Sequence, residues 1–401
     1  MNIAVLGYGV VGSGTVEVLD KNAEKIASNA KQEIRVKKIL DIREFPESPY
    51  KDLMTKDFES IERDSDITTI VETIGGIGIA YEYTVRALKA GKNVVTSNKE
   101  MVAVHGYELL RLAYDNGVNY LFEASVGGGI PIIRPISQCI AANQITEIYG
   151  IVNGTTNYIL TEMEKNGADF AVALADAQRK GYAESDPSAD IDGHDAARKI
   201  AILSSLAFGK HVYSDYVHTE GIRGVTTDDM NFANELGCRI KLLVRSRIVG
   251  DKIASYVAPH LVNHENLLAS VSGVMNGIVV RGNAVGDLMF YGAGAGKMPT
   301  ASAVVADVID IAKNTGDRRL ISWDDGNPEM MTDSTLLESA WYVRTKADRK
   351  SIETAFGEVV FAGEKNQTTA FKTANMSGKK INDILNRGIP VLSTFRILGD
   401  Y

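Results

Sequence analysis

The chain has 401 residues, 45% of them hydrophobic, and a formal net charge of -8. This is ordinary globular composition, long enough for about two or three domains, and its mild acidity argues against a nucleic-acid partner, which selects clustered Lys and Arg. No apolar run approaches the roughly 20 residues of a membrane helix, the first residues lack a signal-peptide pattern, and Cys139 and Cys238 are too far apart for a metal motif or a disulfide framework. A cytoplasmic protein with buried, structural thiols is expected.

The chain opens on NIAVLGYGVVGSGTVEVLD, an apolar run, then glycines, then a helical pattern. Gly7, Gly9 and Gly12 form G-x-G-x-x-G, with Val10 and Val11 opening the helix. The first glycine permits a tight turn, the second lets backbone approach a pyrophosphate, and the third lets helix pack on strand. The helix N-terminus then offers free N–H groups to the phosphates. A dinucleotide site is expected because the glycines sit between a strand and a helix. The second strand, IRVKKILDI, runs into Asp41. An acid there bonds the ribose 2′-OH and favours NAD. Arg43, two residues on, suits a 2′-phosphate instead, so NAD and NADP both stay open. Lys21–Lys31 lengthen the first helix or its loop.

SDITTIVETIGG is a further strand, YEYTVRALKAGK a helix, and NVVTSNKE another strand and turn. Alternation of this kind predicts a Rossmann-like doubly wound parallel sheet, with ligands beyond the carboxyl ends of its strands. Thr73, Ser97, Asn98 and Lys99 fall at such ends. FEASVGGGIPIIRPI frees its backbone at Gly127–Gly129, and EIYGIVNGTTNYIL places an Asn-Gly turn before a helix that Thr155 or Thr156 can cap.

Residues 181–199, GYAESDPSADIDGHDAARK, gather five acids before a lysine and lead into apolar IAILSSLAF. Pro187 breaks any helix early in the stretch, and Asp190 or Asp192 can cap the helix that follows. Asp192, Asp195 and Lys199 then share one face. Ion pairing alone is worth only about 0.3–0.5 kcal/mol and leaves Glu184 and Asp190 without a reason. Charges at the head of a buried helix read better as a cradle for an ammonium and a hydroxyl, with the lysine moving the hydroxyl proton. An ordinary lysine pKa of ~10.4 then predicts faster alcohol oxidation at alkaline pH. His194, His260 and His264 fit no zinc spacing.

That stretch resembles the signature of the homoserine dehydrogenase family, at Ala177, Gly181, Asp186, Pro187, Asp190, Gly193, Asp195 and Lys199. TSNKE, FEASVGGGIPII, NGTTNYIL and GAGAGKMPT resemble further motifs of that family, and the likeness spans roughly residues 1–320. The resemblance implies an NAD(P)-dependent oxidoreductase interconverting L-homoserine and L-aspartate 4-semialdehyde in threonine and methionine biosynthesis. It implies Lys199 as the proton-transfer lysine and Lys99 as a second active-site lysine. Glu184 would bind the amino group, with Asp190 and Asp195 in support. The backbone of Glu123, Val126, Gly128 and Ile130 would hold a sodium or potassium ion, and Gly296 would be a late cofactor contact. A homodimer or homotetramer is implied too.

The expected organisation is a dinucleotide-binding domain over 1–130, completed by about 295–320, and an α+β substrate and dimerisation domain over 131–294. A polar linker over 321–335 follows, with TGDRRL ahead of it. In the tail, 336–401, ESAWYVRTK reads as a strand, KSIETAFGEVV as a helix, TTAFKTA as a strand, KKINDILNRG as a helix and VLSTFRIL as a strand. This resembles a small ACT-like regulatory domain, although DRKSIE replaces the usual Pro-Gly before its first helix. A fused aspartate kinase is not expected, since no second phosphate loop occurs. The competing readings are another dehydrogenase with a different cradle, and a non-catalytic sensor of dinucleotide and amino acid that would lack Lys99 or Lys199.

Overall fold

A computed structural model describes residues 1–314 and 321–399. TGDRRL and the last two tail residues lie outside the described residues. The chain divides into two compact units, each assembled from three segments. The first comprises 1–144, 201–214 and 292–326, and the second 145–200, 215–291 and 327–401.

The first unit is built on a parallel sheet of six strands: β1 (Asn2–Leu6), β2 (Arg35–Leu40), β3 (Met54–Thr55), β4 (Ile67–Glu72), β5 (Asn93–Thr96) and β6 (Tyr120–Leu121). Their order is β3-β2-β1-β4-β5-β6, so the topology reverses between β1 and β4. Ile3, Ala4, Val5 and Leu6 are completely buried, which is why β1 reads as an unbroken apolar run rather than an alternating one. Gly7 turns the chain at φ +90°, and a Cβ on Gly12 would lie 1.9 Å from the Gly7 carbonyl oxygen. The helix Val10–Lys21 therefore reaches β1 only because Gly12 has no side chain. The extension expected after it is a second short helix, Ala23–Ala30.

The second unit is built on a mixed sheet of β7 (Ile145–Ile151), β8 (His218–Thr219), β9 (Cys238–Val249), β10 (Lys252–Asn263), β11 (Met275–Gly282), β12 (Gly286–Ala293), β13 (Glu338–Thr345), β14 (Val359–Lys365), β15 (Thr368–Thr373), β16 (Met376–Ser377) and β17 (Val391–Leu398). The main path is β12-β11-β7-β9-β10-β17-β13-β15-β14. The sheet is therefore continuous through the tail: β17 lies parallel to β10 and antiparallel to β13. The tail itself runs β-α-β-β-β-α-β, the last of the three middle strands being the two-residue β16, with helices Arg349–Phe356 and Gly378–Leu385 and its own small core of Trp341, Val343, Ile352, Phe371, Met376 and Ile381.

Four local expectations are corrected. The first tail helix stops at Phe356, and Val359 and Val360 open the additional strand β14. Helix Gly154–Asn166 is capped by Asn153, whose side chain accepts from Thr156 N, because Thr155 and Thr156 already lie inside the helix. Neither Asp190 nor Asp192 caps the next helix, which starts at His194 after Gly193 at φ +86°. Instead Asp192 ends the short helix Ser188–Ile191 and pairs with Arg223, Oδ1 to Nε at 2.5 Å. Of the two thiols, Cys238 is buried and Cys139 is exposed.

Candidate active site

The reversal point of the first sheet opens into a cavity of about 450 Å³ lined by Gly7, Gly9, Asp41, Arg43, Lys56 and Thr73, among others. Thr73 closes the gap between β1 and β4. Its N–H donates to Leu6 O at 2.8 Å, and its hydroxyl donates to Gly7 O at 2.8 Å. Asp41 follows β2. It accepts Tyr8 N at 2.7 Å, Arg43 Nε at 3.0 Å and Arg43 Nη2 at 2.8 Å. The Arg43 guanidinium holds this carboxyl far below the usual range. The acid and the base left as alternatives by the sequence are thus bound to each other. Lys56, from the β3 turn, was not singled out, because its part depends on a fold contact rather than on any motif.

Val10 stands at the mouth of the glycine turn, 67% exposed. Ser97 lies in the turn after β5, and Lys99 is the first residue of helix Lys99–Asp115, capped by Asn98. Gly296, at φ +124°, is the N-cap of helix Lys297–Lys313.

A buried polar cluster occupies the second unit. Lys199 is 8% exposed, Asp195 4% and Asn153 5%. Lys199 Nζ donates to Asp195 Oδ2 at 2.7 Å and to Val152 O at 2.8 Å. Asn153 Nδ2 donates to Asp195 Oδ2 at 2.8 Å and to Asp190 Oδ1 at 2.7 Å. The i, i+4 spacing of Asp195 and Lys199 puts both on one face of helix His194–Phe208. Ala196, Ala197, Ile200 and Ala201 beside them are buried and fix the helix in the core. Such a buried pair is tolerated only because further hydrogen bonds satisfy both charges. Asn153 is the member that sequence reasoning missed. Its Asn-Gly signal was read as a turn, whereas the amide both caps a helix and bridges two acids.

The structure thus brings Asp190, Asp195 and Lys199 together. It leaves Asp192 outside the group, on Arg223. Glu184 is exposed on the loop, where Gln178 Nε2 donates to its carbonyl at 3.0 Å.

The glycine loop at 127–129 takes φ of +78° at Gly127 and +54° at Gly128. A Cβ on Gly128 would lie 2.5 Å from the Gly294 carbonyl, so the close approach also demands glycine. The Glu123 carboxylate accepts from the N–H groups of Ile132, Ile133 and Arg134 at 2.7–2.8 Å. With that carboxylate engaged by the chain, what Glu123 can offer a cation is its carbonyl oxygen. Val126 and Ile130 are buried alongside. Among the described residues no group of three or more His, Cys, Asp and Glu side chains could hold a metal, and no helix is long and apolar enough to cross a membrane.

A glycine fingerprint at a switch point, in a chain that also buries a lysine among carboxylates, places this protein among the nicotinamide-dependent oxidoreductases. Residues 7–123 match the family described as homoserine dehydrogenase, NAD binding domain, and residues 131–309 match that described as homoserine dehydrogenase. The homoserine dehydrogenase of Pseudomonas aeruginosa is 42% identical over 355 residues, covering 86% of this chain and 82% of that one. The crystal structure of the Thiobacillus denitrificans homoserine dehydrogenase is 35% identical, with a TM-score of 0.89 over 99% of this chain and 98% of that one. A hyperthermophilic archaeal homoserine dehydrogenase in complex with NADPH is 28% identical, with a TM-score of 0.65 over 77% and 96%. The chain belongs to the homoserine dehydrogenase family.

Proposed function

We propose that this chain interconverts L-homoserine and L-aspartate 4-semialdehyde in the cytoplasm, with Lys199 moving the hydroxyl proton. The observation that carries the role is the buried contact of Lys199 with Asp195 and Val152 O. A bound nicotinamide supplies the hydride acceptor or donor. The protein's own task is to orient the carbinol and manage one proton. Two N–H groups of Lys199 are spent on Asp195 and Val152 O, and a third serves the substrate oxygen. In reduction the ammonium gives its proton to the oxygen as the carbonyl bond is lost, and oxidation returns it. Asp195 stabilises the ammonium, and Asn153 fixes Asp195 against Asp190. Lys99 is the second active-site lysine of this reading. Glu184 and Asp190 accept from the substrate ammonium.

For the cofactor, Gly7, Gly9, Val10, Val11 and Gly12 make a tight turn in which a Cβ on Gly7 or Gly12 would strike backbone while Gly9 faces open space beside Arg43, which fits the close approach of a pyrophosphate. Thr73 and Ser97 support the nicotinamide end, and Gly296 contributes a further contact. Arg43 and Lys56 both line the cavity, but Arg43 is paired with Asp41 and Lys56 with Glu44 at 3.0 Å, so a 2′-phosphate would have to draw a cation from its carboxylate, and NAD and NADP both remain partners in this reading. The carbonyls of Glu123, Val126, Gly128 and Ile130 hold sodium or potassium. Apart from the two-residue β16, the tail's β-α-β-β-α-β order supports its reading as an ACT-like domain, and a homodimer or homotetramer is the working assembly.

The test is a spectrophotometric assay with L-homoserine and either NAD or NADP, in sodium, potassium or choline buffer. Lys199→Ala is expected to lose ~10²–10⁴-fold in kcat with cofactor binding intact. Lys199→Arg keeps the charge but is not expected to recover activity. Arg43→Ala is expected to weaken NADP more than NAD. Folded protein that binds a dinucleotide yet leaves homoserine unoxidised would refute the substrate assignment.

A further inference from the structure

The most deeply buried carboxylate of the first unit has no part in the scheme above. Glu72 ends β4 and is 0% exposed. Among the described residues no lysine or arginine pairs with it. Its oxygens are satisfied instead by two different loops. Oε1 accepts the N–H of Ile74 at 2.7 Å and of Gly75 at 3.4 Å, both in the loop after β4. Oε2 accepts the Thr96 hydroxyl at 2.5 Å, at the end of β5.

The connection continues beyond Thr96. Thr96 Oγ1 accepts Asn98 N at 2.9 Å. Asn98 Oδ1 accepts Met101 N at 3.1 Å, which caps the helix beginning at Lys99. Asn98 Nδ2 donates to Gly76 O at 2.6 Å, back in the first loop. The result is a closed ring of hydrogen bonds. The first loop has little steric definition of its own: Gly75 and Gly76 sit at φ +86° and +69°, with nothing within 4 Å of either added Cβ. Its shape is therefore set by the ring.

We propose that Glu72 is a positioning residue for the reaction: one carboxylate holds both the Thr73–Gly76 loop at the dinucleotide cavity and the turn that presents Ser97 and Lys99. The inference rests on the functional reading above. It requires two acceptor oxygens. In Glu72→Gln one acceptor oxygen becomes an N–H₂ donor, which faces either the Ile74 and Gly75 N–H groups or the Thr96 hydroxyl, so the amide cannot hold both loops as the carboxylate does. Thr96→Val cuts the ring on the Lys99 side only, and Thr96→Ser restores the hydroxyl.

The experiment uses the full chain. NADPH dissociation constants are measured by fluorescence, kcat and KM for homoserine oxidation by absorbance, and Tm for each variant. Glu72→Gln is expected to weaken NADPH and lower kcat, each by roughly 10-fold or more, the scale of a hydrogen bond to a charged group. Thr96→Val is expected to lower kcat by a similar factor while its NADPH constant stays within about twofold, and Thr96→Ser to match the parent. A merely structural Glu72 lowers Tm and leaves the constants of the folded fraction unchanged, and that outcome overturns the proposal. So does a Thr96→Ser as impaired as Thr96→Val. If Glu72→Gln does not fold, the Thr96 pair decides. If the parent binds NADPH but does not oxidise homoserine, the functional reading fails, and Glu72 is judged on NADPH affinity alone.

Discussion

His211 shows how much one ring can hold together. Its Nδ1 accepts Tyr107 N at 3.1 Å and Trp323 Nε1 at 3.0 Å, and its Nε2 lies 2.9 Å from Ala103 O. This arrangement requires a neutral imidazole with the proton on Nε2. Burial pushes the ring below the ordinary 6.5. In the unfolded chain the ring takes up a proton as pH falls through about 6.5, while the folded ring does so only at lower pH. Stability from this residue is therefore complete above that pH and falls below it. The measurement is Tm at pH 5, 6 and 7, with Trp323 emission as the local reporter. His211→Gln is expected to be less stable at neutral pH and to show a shallower acid slope. An unchanged slope would dismiss the ring as the sensor. At this scale the sequence was most legible where the demand is local. Gly7 and Gly12 follow from backbone geometry alone, and Asp195 with Lys199 follows from helical spacing. Asn153 was hidden because its partners lie 37 and 42 residues away.

Among elements, the buried carboxylate of Asp229 joins the helix Thr227–Glu235 to the tail. Asp229 is 0% exposed and closes a capping box with Thr226. It also accepts Arg344 Nε at 2.7 Å, the Tyr342 hydroxyl at 2.9 Å and the Ser393 hydroxyl at 3.0 Å, from β13 and β17. Asp229→Asn keeps the shape but leaves Arg344 a buried charge without its partner. A loss of about 3–5 kcal/mol is expected, read by urea unfolding followed at Trp341 in β13. A midpoint equal to the parent's would show that the contact contributes nothing. Elements were legible where hydrophobic period and length agreed, as in β1 and β13. They were not legible where a strand edge is weakly apolar. Val359–Lys365 is mostly half-buried or exposed, so it carried too little pattern to be separated from the helix before it. The helix after Asp192 was placed early because nothing in sequence marks Gly193 as a positive-φ start.

For the molecule as a whole, the chain order and the units do not coincide. The parallel sheet of the first unit comes from residues 1–144, yet helix Lys297–Lys313 supplies part of its core. A Cβ on Gly14 would lie 3.0 Å from Lys297 O and 3.2 Å from Ala301 Cβ, so the two helices pack backbone to backbone. Asp307 accepts Glu123 N at 2.8 Å, and Ala312 O accepts Gln32 Nε2 at 2.8 Å. Residues 1–144 alone are thus expected to lack a cooperative thermal transition, and adding a peptide of residues 292–314 is expected to improve it. A sharp transition from the isolated fragment would contradict this dependence. The family likeness carries the expectation that GAGAGKMPT returns to the first domain. The helix that follows gives no local sign of which sheet it covers.

The position of β17 has a consequence for synthesis. The chain is made from residue 1 onward. β10 has β8 beside Tyr256 and Val257, but it gains β17 beside His260, Leu261 and Val262 only when residues 391–398 appear. Until those residues leave the ribosome, His260, Leu261 and Val262 present an unpaired strand edge. The second unit therefore completes its sheet only once β17 has been made, and chains that stop short of β17 carry a template for pairing with each other.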